Sequence, residues 1–491
     1  MKVNKGCRKY LEPALSGFVL IIGMVLLNIH KKIVDIIIDE FLVLKPNTYY
    51  FSEWKDAANL LPIEFYFFNW TNPEDLFNPS VKPKFQEVGP IVMNQETHRW
   101  NITINENNTV TYRNKKVFFL DEEKSKAALE DNVTSVNVVP MFASEKARNW
   151  NFFYRKGLAI AIRDSPYHKT TTIKEWLFDG YEDSLLETAS YLPFLDDMPN
   201  YDRVAWFYKR NDSEMYEGVF NMGTGLGNTT IGKTYRWNYR NITDYSGYCG
   251  QFQATSELFP QNPKKDKIEF FSSDFCRKII FYYNGTVSWK GLEAYKYVGE
   301  EDFLDTGKYN KKNTCFCLRK CLKYGVSDYS KCSYGLPSYV SLPHFTRADP
   351  KYRDDIEGMR PNGSKHNLEI WLHPRTGTLL VMTLGVQMNM YMEPNPSISK
   401  FKDVPELMIP LFWFYADYQL DFRNMLLVQV LDRLEAFLRI ISYILIISGA
   451  AIHIRFFYHY LHRREEEKHA NLSHCPEHLK LMTHTNGCDK Y

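Results

Sequence analysis

The chain has 491 residues, with 60 Lys and Arg against 58 Asp and Glu and a formal net charge of +2. That balance excludes recognition of nucleic acid or of an acidic partner by global charge, so any electrostatic recognition must be local. No linker, repeat or low-complexity tract divides the interior, so one large domain is expected, and aromatics at 15% suit a β-rich core or an apolar ligand cavity.

Lys2, Lys5, Arg8 and Lys9 form a basic leader before an uncharged run from Pro13 to Ile29. The run approaches the roughly 17–25 residues that cross a hydrocarbon core. No small-x-small cleavage site follows, so a retained anchor is expected rather than a cleaved signal. His30, Lys31 and Lys32 lead into Ile33 to Ile38, with the lysines snorkelling to the interface. These features predict a cytoplasmic stub over 1–12 and a transmembrane helix over 13–32. Cys7, beside Arg8 and Lys9, is a juxtamembrane palmitoylation candidate.

Between the two apolar ends, acceptor sequons recur at Asn69, Asn101, Asn107, Asn132, Asn211, Asn228, Asn241, Asn284 and Asn362. Glycosylation there would place the whole span in the secretory lumen. Apolar-aromatic segments at Pro62 to Trp70, Val117 to Leu120, Ile268 to Phe271, Ile279 to Tyr283 and Thr378 to Met392 are bounded by Asn, Gly and Pro and read as strands. The nearly continuous run from Gly377 to Met392 predicts a long strand buried on both sides.

From Ser144 to Tyr191 the period changes: Ala143, Ala147, Trp150, Tyr154 and Leu158 recur at helical spacing, and Thr171 to Glu175 offers an N-cap before Trp176. A helical insert, about 141–191, in a β-rich domain makes the fold class α+β. The insert is read as holding the one notable charge imbalance, with Lys146, Arg148, Arg155, Lys156, Arg163, Lys169 and Lys174 against Glu145, Asp164 and Glu175. It is a candidate anion-binding face, each cation adding about 1 kcal/mol for lipid head groups, screened by salt. Trp150, Phe152 and Phe153 are expected in the core.

Six cysteines, Cys249, Cys276, Cys315, Cys317, Cys321 and Cys332, lie between the apolar ends, an even number that fits disulfides in an oxidising lumen. Their pairing is open, and crowded thiolates at Cys315, Cys317 and Cys321 could alternatively hold zinc. Gly227 to Thr234 fits the phosphate-loop pattern, but aromatic, β-like Tyr235 to Tyr239 follows where a helix is required. No G-x-S-x-G or H-E-x-x-H occurs. Neither an enzyme nor a metal or cofactor is indicated.

A second apolar run, Ile440 to Ile454, contains His453 and is short; extension to Ala436, with Arg439 at the interface, restores a spanning length. This predicts a transmembrane helix over 436–458 and an extracellular domain over 33–435. Arg455, Arg463 and Arg464 follow the run, so both basic flanks face the cytoplasm and 459–491 is a cytoplasmic tail, which also carries Cys475, Cys488 and a chance sequon at Asn471.

Phe68-Asn69-Trp70-Thr71-Asn72-Pro73-Glu74, Val88-Gly89-Pro90, Phe270 to Arg277, Ser341-Leu342-Pro343-His344-Phe345 and Pro374-Arg375-Thr376-Gly377 carry a family likeness. Over essentially its whole length the chain resembles the class B scavenger receptors, the family of the fatty-acid translocase and the lysosomal integral membrane protein. With Met408 to Phe414 added, it is most similar to the croquemort-type insect phagocyte receptors. The resemblance implies an antiparallel β-barrel ectodomain, a helical bundle at the membrane-distal apex and an apolar tunnel toward the bilayer, anchored by two transmembrane helices. It implies disulfides joining Cys249 to Cys315, Cys276 to Cys332 and Cys317 to Cys321, and it places the apex ligand lysine in the segment just before Trp176 to Tyr181, where Lys169 and His168 are the nearest candidates.

The acidic dileucine sorting signal of the family's lysosomal branch is absent from Leu461 to Tyr491, which favours the plasma membrane. The expected function is a surface scavenger receptor for anionic lipid, lipoprotein, apoptotic-cell or microbial surfaces, with Lys146, Arg148, Arg155, Lys156, His168 and Lys169 as ligand contacts. The alternative is a conduit passing fatty acids, sterols or carotenoids to the bilayer. The tail shows no signalling motif, so a signalling co-receptor is an expected partner, with homo-oligomerisation a further expectation and nucleic acid none.

Overall fold

The structure is a computed structural model that describes residues 5–189, 202–333, 336–363 and 365–473. Cys475, Cys488, most of the tail and the end of the expected 141–191 insert lie outside the described residues; for Cys7 only the helical backbone is described. In chain order the helices are α1 (Lys5–Phe41), α2 (Tyr49–Lys55), α3 (Val138–Lys146), α4 (Phe152–Ala161), α5 (Ser184–Ala189), α6 (Lys351–Asp354) and α7 (Phe422–Ser473). The strands begin with β1 (Asp56–Trp70), β2 (Phe85–Ile104), β3 (Thr109–Leu120), β4 (Asn132–Val136), β5 (His168–Thr172), β6 (Tyr181–Glu182), β7 (Arg203–Val204), β8 (Val219–Gly223) and β9 (Thr234–Trp237). They continue as β10 (Lys267–Ser272), β11 (Arg277–Trp289), β12 (Leu292–Val298), β13 (Val326–Asp328), β14 (Ser338–Ser341), β15 (Leu368–Leu372), β16 (Leu379–Met392) and β17 (Leu407–Gln419).

Two compact units form, Met1–Glu40 with Leu427–Tyr491, and Phe41–Leu426. In the first, α1 and α7 are each long and apolar enough to cross a bilayer. Their backbones meet at glycines: a Cβ on Gly23 would lie 2.8 Å from Ile446 Cγ1, and one on Gly449 2.9 Å from the Leu20 nitrogen. Small residues drive such packing because lipid supplies no hydrophobic push between helices. Ser16 Oγ and His453 Nδ1, 3.1 Å apart, satisfy each other; this accounts for a histidine inside an apolar run.

The second unit is built on a 13-stranded sheet in the order β10-β11-β12-β15-β16-β17-β1-β2-β3-β8-β9, with β14 on β16 and β13 on β14. Thr255 nearly closes it into a barrel, bridging Lys233 beside edge strand β9 and Phe270 of edge strand β10. Alternation sorts the central strands: Phe65 and Phe67 of β1 share one face with Phe412 and Phe414 of β17, while Tyr66 and Trp413 pair on the other. Gly385 to Met392 of β16 is buried at every position, as a strand covered on both faces must be.

The phosphate-loop pattern falls in a turn that enters strand β9 at Thr234, with no helix at Lys233. Cys249–Cys315, Cys276–Cys332 and Cys317–Cys321 are disulfide-bonded, with Cα–Cα distances of 5.8, 5.8 and 5.1 Å. The zinc alternative is thereby removed, since these thiols are consumed. Eight of the nine sequon asparagines are exposed, and Asn69 is half-buried in β1.

Candidate functional site

The insert between β4 and β5 is a compact apex on a two-stranded base, Val136 pairing with His168 and Asn132 with Thr172. Trp176, 2% exposed, donates from Nε1 to the Val133 carbonyl at 3.1 Å and locks the base to the turn that follows. That turn is a single π-turn, Glu175–Asp179, capped reciprocally: Glu175 N–H donates to Thr172 Oγ1, and Thr172 N–H to Glu175 Oε2, both at 3.2 Å. Hydrogen bonds from Thr171 lead in holding the Glu175 carboxyl below its usual range.

The helical spacing from Ala143 to Leu158 is not one helix. The chain breaks at Trp150, and Asn151 caps a new helix by accepting from the Tyr154 N–H at 3.1 Å. This is α4, which has no buried residue. Leu158 and Ala159 rest on the core, whereas Phe152, Lys156 and Ile160, spaced i, i+4, i+8, share the outward face with Phe153. Phe153 is 82% exposed, Ile160 69% and Phe152 59%, which corrects the expectation that both phenylalanines sit in the core. Trp150 does pack against it.

The predicted cations divide into tethered and available groups. Arg148 is tethered: its Nε donates to Glu145 at 2.6 Å, and its Nη2 lies 3.2 Å from both the Glu393 carboxylate and the Pro394 carbonyl. Glu145 also holds Arg319 Nη1 at 2.7 Å. Burial opposes ionisation of Glu145, but the two guanidinium groups outweigh it and hold the carboxyl below its usual range. Arg155 donates to Ser397 Oγ at 2.9 Å, and His168 lies 3.5 Å from Glu74. Lys146, Lys156 and Lys169 stand over the rings of Phe142, Phe152 and Tyr181, at 5.6, 5.6 and 5.3 Å, and form no ion pair among the described residues.

Beneath the apex the barrel wall borders a partly open cavity of about 510 Å³. Inward residues of β1, β16 and β17, among them Phe65, Met388, Phe412 and Phe414, line it together with Val138, Val139 and Phe142 of α3. One wall is polar: Arg210 donates to Glu217 at 2.8 Å and to Asp274, and Lys116 joins both acids at 3.1 and 3.3 Å. Burial opposes charge on Asp274, yet Arg210 and Lys116 hold its carboxyl far below the usual range. The cluster balances two cations against two anions and offers no spare charge to a ligand.

Sequence reasoning missed the outward Phe152, Phe153 and Ile160 and the partners that neutralise Arg148. The i, i+4, i+8 spacing of the first set was a usable signal, as was Glu145 three residues before Arg148; Glu393 is far away in sequence and gave none.

The profile of the CD36 family matches residues 14–460. Protein peste of Drosophila melanogaster is 34% identical over 389 residues, covering 76% of this chain and 68% of its own. Scavenger receptor class B member 1 of Bos taurus is 26% identical over 402 residues (80% and 77%), and lysosome membrane protein 2 of Rattus norvegicus 28% over 429 (84% and 87%). With two terminal helices that can cross a bilayer and a match over nearly its whole length, this two-span membrane protein belongs to the CD36 family.

Proposed function

We propose that the chain is a cell-surface scavenger receptor whose apex captures anionic lipid-bearing surfaces, such as lipoproteins, apoptotic cells or microbes, for uptake. The observation that carries this reading is the outward face of α4, where Phe152, Phe153 and Ile160 surround Lys156. Aromatic side chains beside a cation suit the boundary of a lipid layer, where the rings bury in the acyl edge and the ammonium meets head groups. Lys146 and Lys169 add charge at the same apex; Arg148, Arg155 and His168 serve the apex by holding it in place.

The kinship with a protein named as a scavenger receptor supports the reading. The basic flanks support the proposed arrangement: stub 1–12, spans 13–32 and 436–458, ectodomain 33–435 and tail 459–491, with both termini cytoplasmic. Residence at the plasma membrane is part of the proposal, as is the absence of an enzymatic role.

The test is capture of phosphatidylserine vesicles by cells displaying the receptor. Phe152→Ser with Phe153→Ser and Ile160→Ser is expected to weaken capture about tenfold at any salt, since three apolar side chains leave the layer. Lys146→Glu with Lys156→Glu and Lys169→Glu is expected to weaken it at low salt only. Unchanged capture by both variants at normal surface levels would overturn the reading. The rival, passage of fatty acids, sterols or carotenoids, draws on the cavity of about 510 Å³; Val139→Trp would then stop lipid uptake and spare vesicle capture.

A further inference from the structure

Between Thr306 and Gly325 the chain carries Lys308, Lys311, Lys312, Arg319, Lys320 and Lys323 and no acidic residue. This is a purer excess of positive charge than the apex insert holds, and it corrects the expectation that the insert carries the one notable imbalance. Arg319 is neutralised by Glu145 at 2.7 Å and Asp328 at 3.5 Å, Lys320 by Glu406, and Lys323 by Asp349 at 3.2 Å. Lys308, Lys311 and Lys312 form no ion pair among the described residues, and all three are exposed.

At Lys308 and Lys312, aromatic rings take the place of carboxylates. Lys308 lies 3.4 Å from the ring centre of Tyr324 and 4.8 Å from that of Tyr309; Lys312 lies 5.7 Å from that of Tyr248, which Lys278 approaches at 5.6 Å. The adjacent acid Asp305 is buried, and its carboxylate accepts the backbone N–H groups of Lys308, Tyr309 and Asn310. Asp349, which carries Lys323, also senses Lys308. The segment is tied down: Cys249–Cys315 and Cys317–Cys321 pin it, and Phe316 is buried under the Arg277 guanidinium at 3.6 Å.

We propose that this disulfide-pinned basic segment docks sulfated polysaccharide chains. Ammonium groups carried on a disulfide-pinned backbone meet a linear polyanion at reduced ordering cost, because the staples have already restricted the chain. Tyr309, 48% exposed, is the segment's large exposed apolar side chain and offers a flat face to a sugar ring. The segment lacks the Phe, Phe and Ile surface by which α4 suits a lipid layer, so a highly charged chain without acyl groups is the matching occupant. The surface adjoins the apex through the Arg319–Glu145 pair.

The experiment measures heparin binding by the full chain in phosphatidylcholine nanodiscs. Lys308→Gln with Lys311→Gln and Lys312→Gln is expected to bind about tenfold more weakly at about 0.1 M salt, with the difference gone near 1 M. The corresponding three Lys→Arg changes should keep binding, and capture of phosphatidylserine vesicles should be the same in all three proteins. In the unaltered receptor, heparin should shield these lysines from acetylation, a reading independent of any variant's folding. Heparin binding that survives the Gln changes, or acetylation that heparin leaves unaltered, would overturn the proposal. So would an equal loss of vesicle capture, which would make the segment a lipid surface, or equal binding of an unsulfated polysaccharide.

Discussion

Tyr66 lies flat on Trp413, ring centroids 4.1 Å apart and planes 4° from parallel, across the seam between β1 and β17. Trp413 donates from Nε1 to Glu87 Oε2 at 2.8 Å, and His344 Nε2 approaches the same oxygen at 2.8 Å. His344 Nδ1 accepts the Arg360 N–H at 3.1 Å, so the ring proton sits on Nε2 and is donated to Glu87. His366 stacks on His344, centroids 5.0 Å apart.

Burial, then the neighbouring His344, pushes His366 down to about 4 from an ordinary 6.5. The unfolded chain therefore binds more protons between those values, and stability present above pH 6.5 is lost as pH falls toward 4. The loss should reach about 2 kcal/mol, seen as a falling melting temperature of the receptor in nanodiscs. His366→Gln should flatten that limb; an unaltered acid slope would refute the assignment.

Glu145 ties the end of α3 to Arg148 and Arg319. Its folded pKa is depressed, so its contribution is present above the unfolded carboxylate range and lost as pH falls through the folded value. Glu145→Gln leaves two guanidinium groups facing a neutral amide and should cost about 2 kcal/mol. Hydrogen exchange in α3 and α4 should accelerate, while exchange in β16 should not.

Arg210 is buried between Glu217 and Asp274 at the cavity wall, and Glu217 is buried with it. Arg210→Ala strands two carboxylates on Lys116 alone and should cost about 3–5 kcal/mol. The variant is expected to be held back during secretion, giving a surface level far below that of Glu145→Gln when measured with an antibody.

Asn69 is half-buried in β1, and its Oδ1 accepts the Thr134 N–H at 2.8 Å. Glycopeptide mass spectrometry should find it bare while finding sugar at exposed positions such as Asn107, Asn228 and Asn284. Asn69→Gln should leave gel mobility unaltered, whereas Asn284→Gln should increase it.

Much of the architecture was legible because it rests on local pattern. Phe65 and Phe67 lie in an apolar-aromatic run bounded by Pro62 and Asn69, the run ending at Met392 is too apolar for an exposed strand, and the ends near Pro13 and Ile440 are uncharged. What stayed hidden depends on distance in the chain. Arg148 reads as a free cation until Glu393 is placed beside it, and Phe152 reads as core until Asn151 starts a new helix and turns it outward. The basic segment from Lys308 to Lys323 was visible in the sequence, but its cysteines drew the reading to pairing rather than to charge.

The first long strand, β1, finds its partner in the last, β17, joining Phe65 to Phe414 and Tyr66 to Trp413. A ribosome must therefore finish almost the entire ectodomain before this seam can zip, leaving one flank of β1 exposed throughout synthesis. Contacts so remote along the chain form late and slowly. Truncations that stop short of Leu407 are accordingly expected to recruit chaperones and be degraded instead of yielding a smaller working receptor.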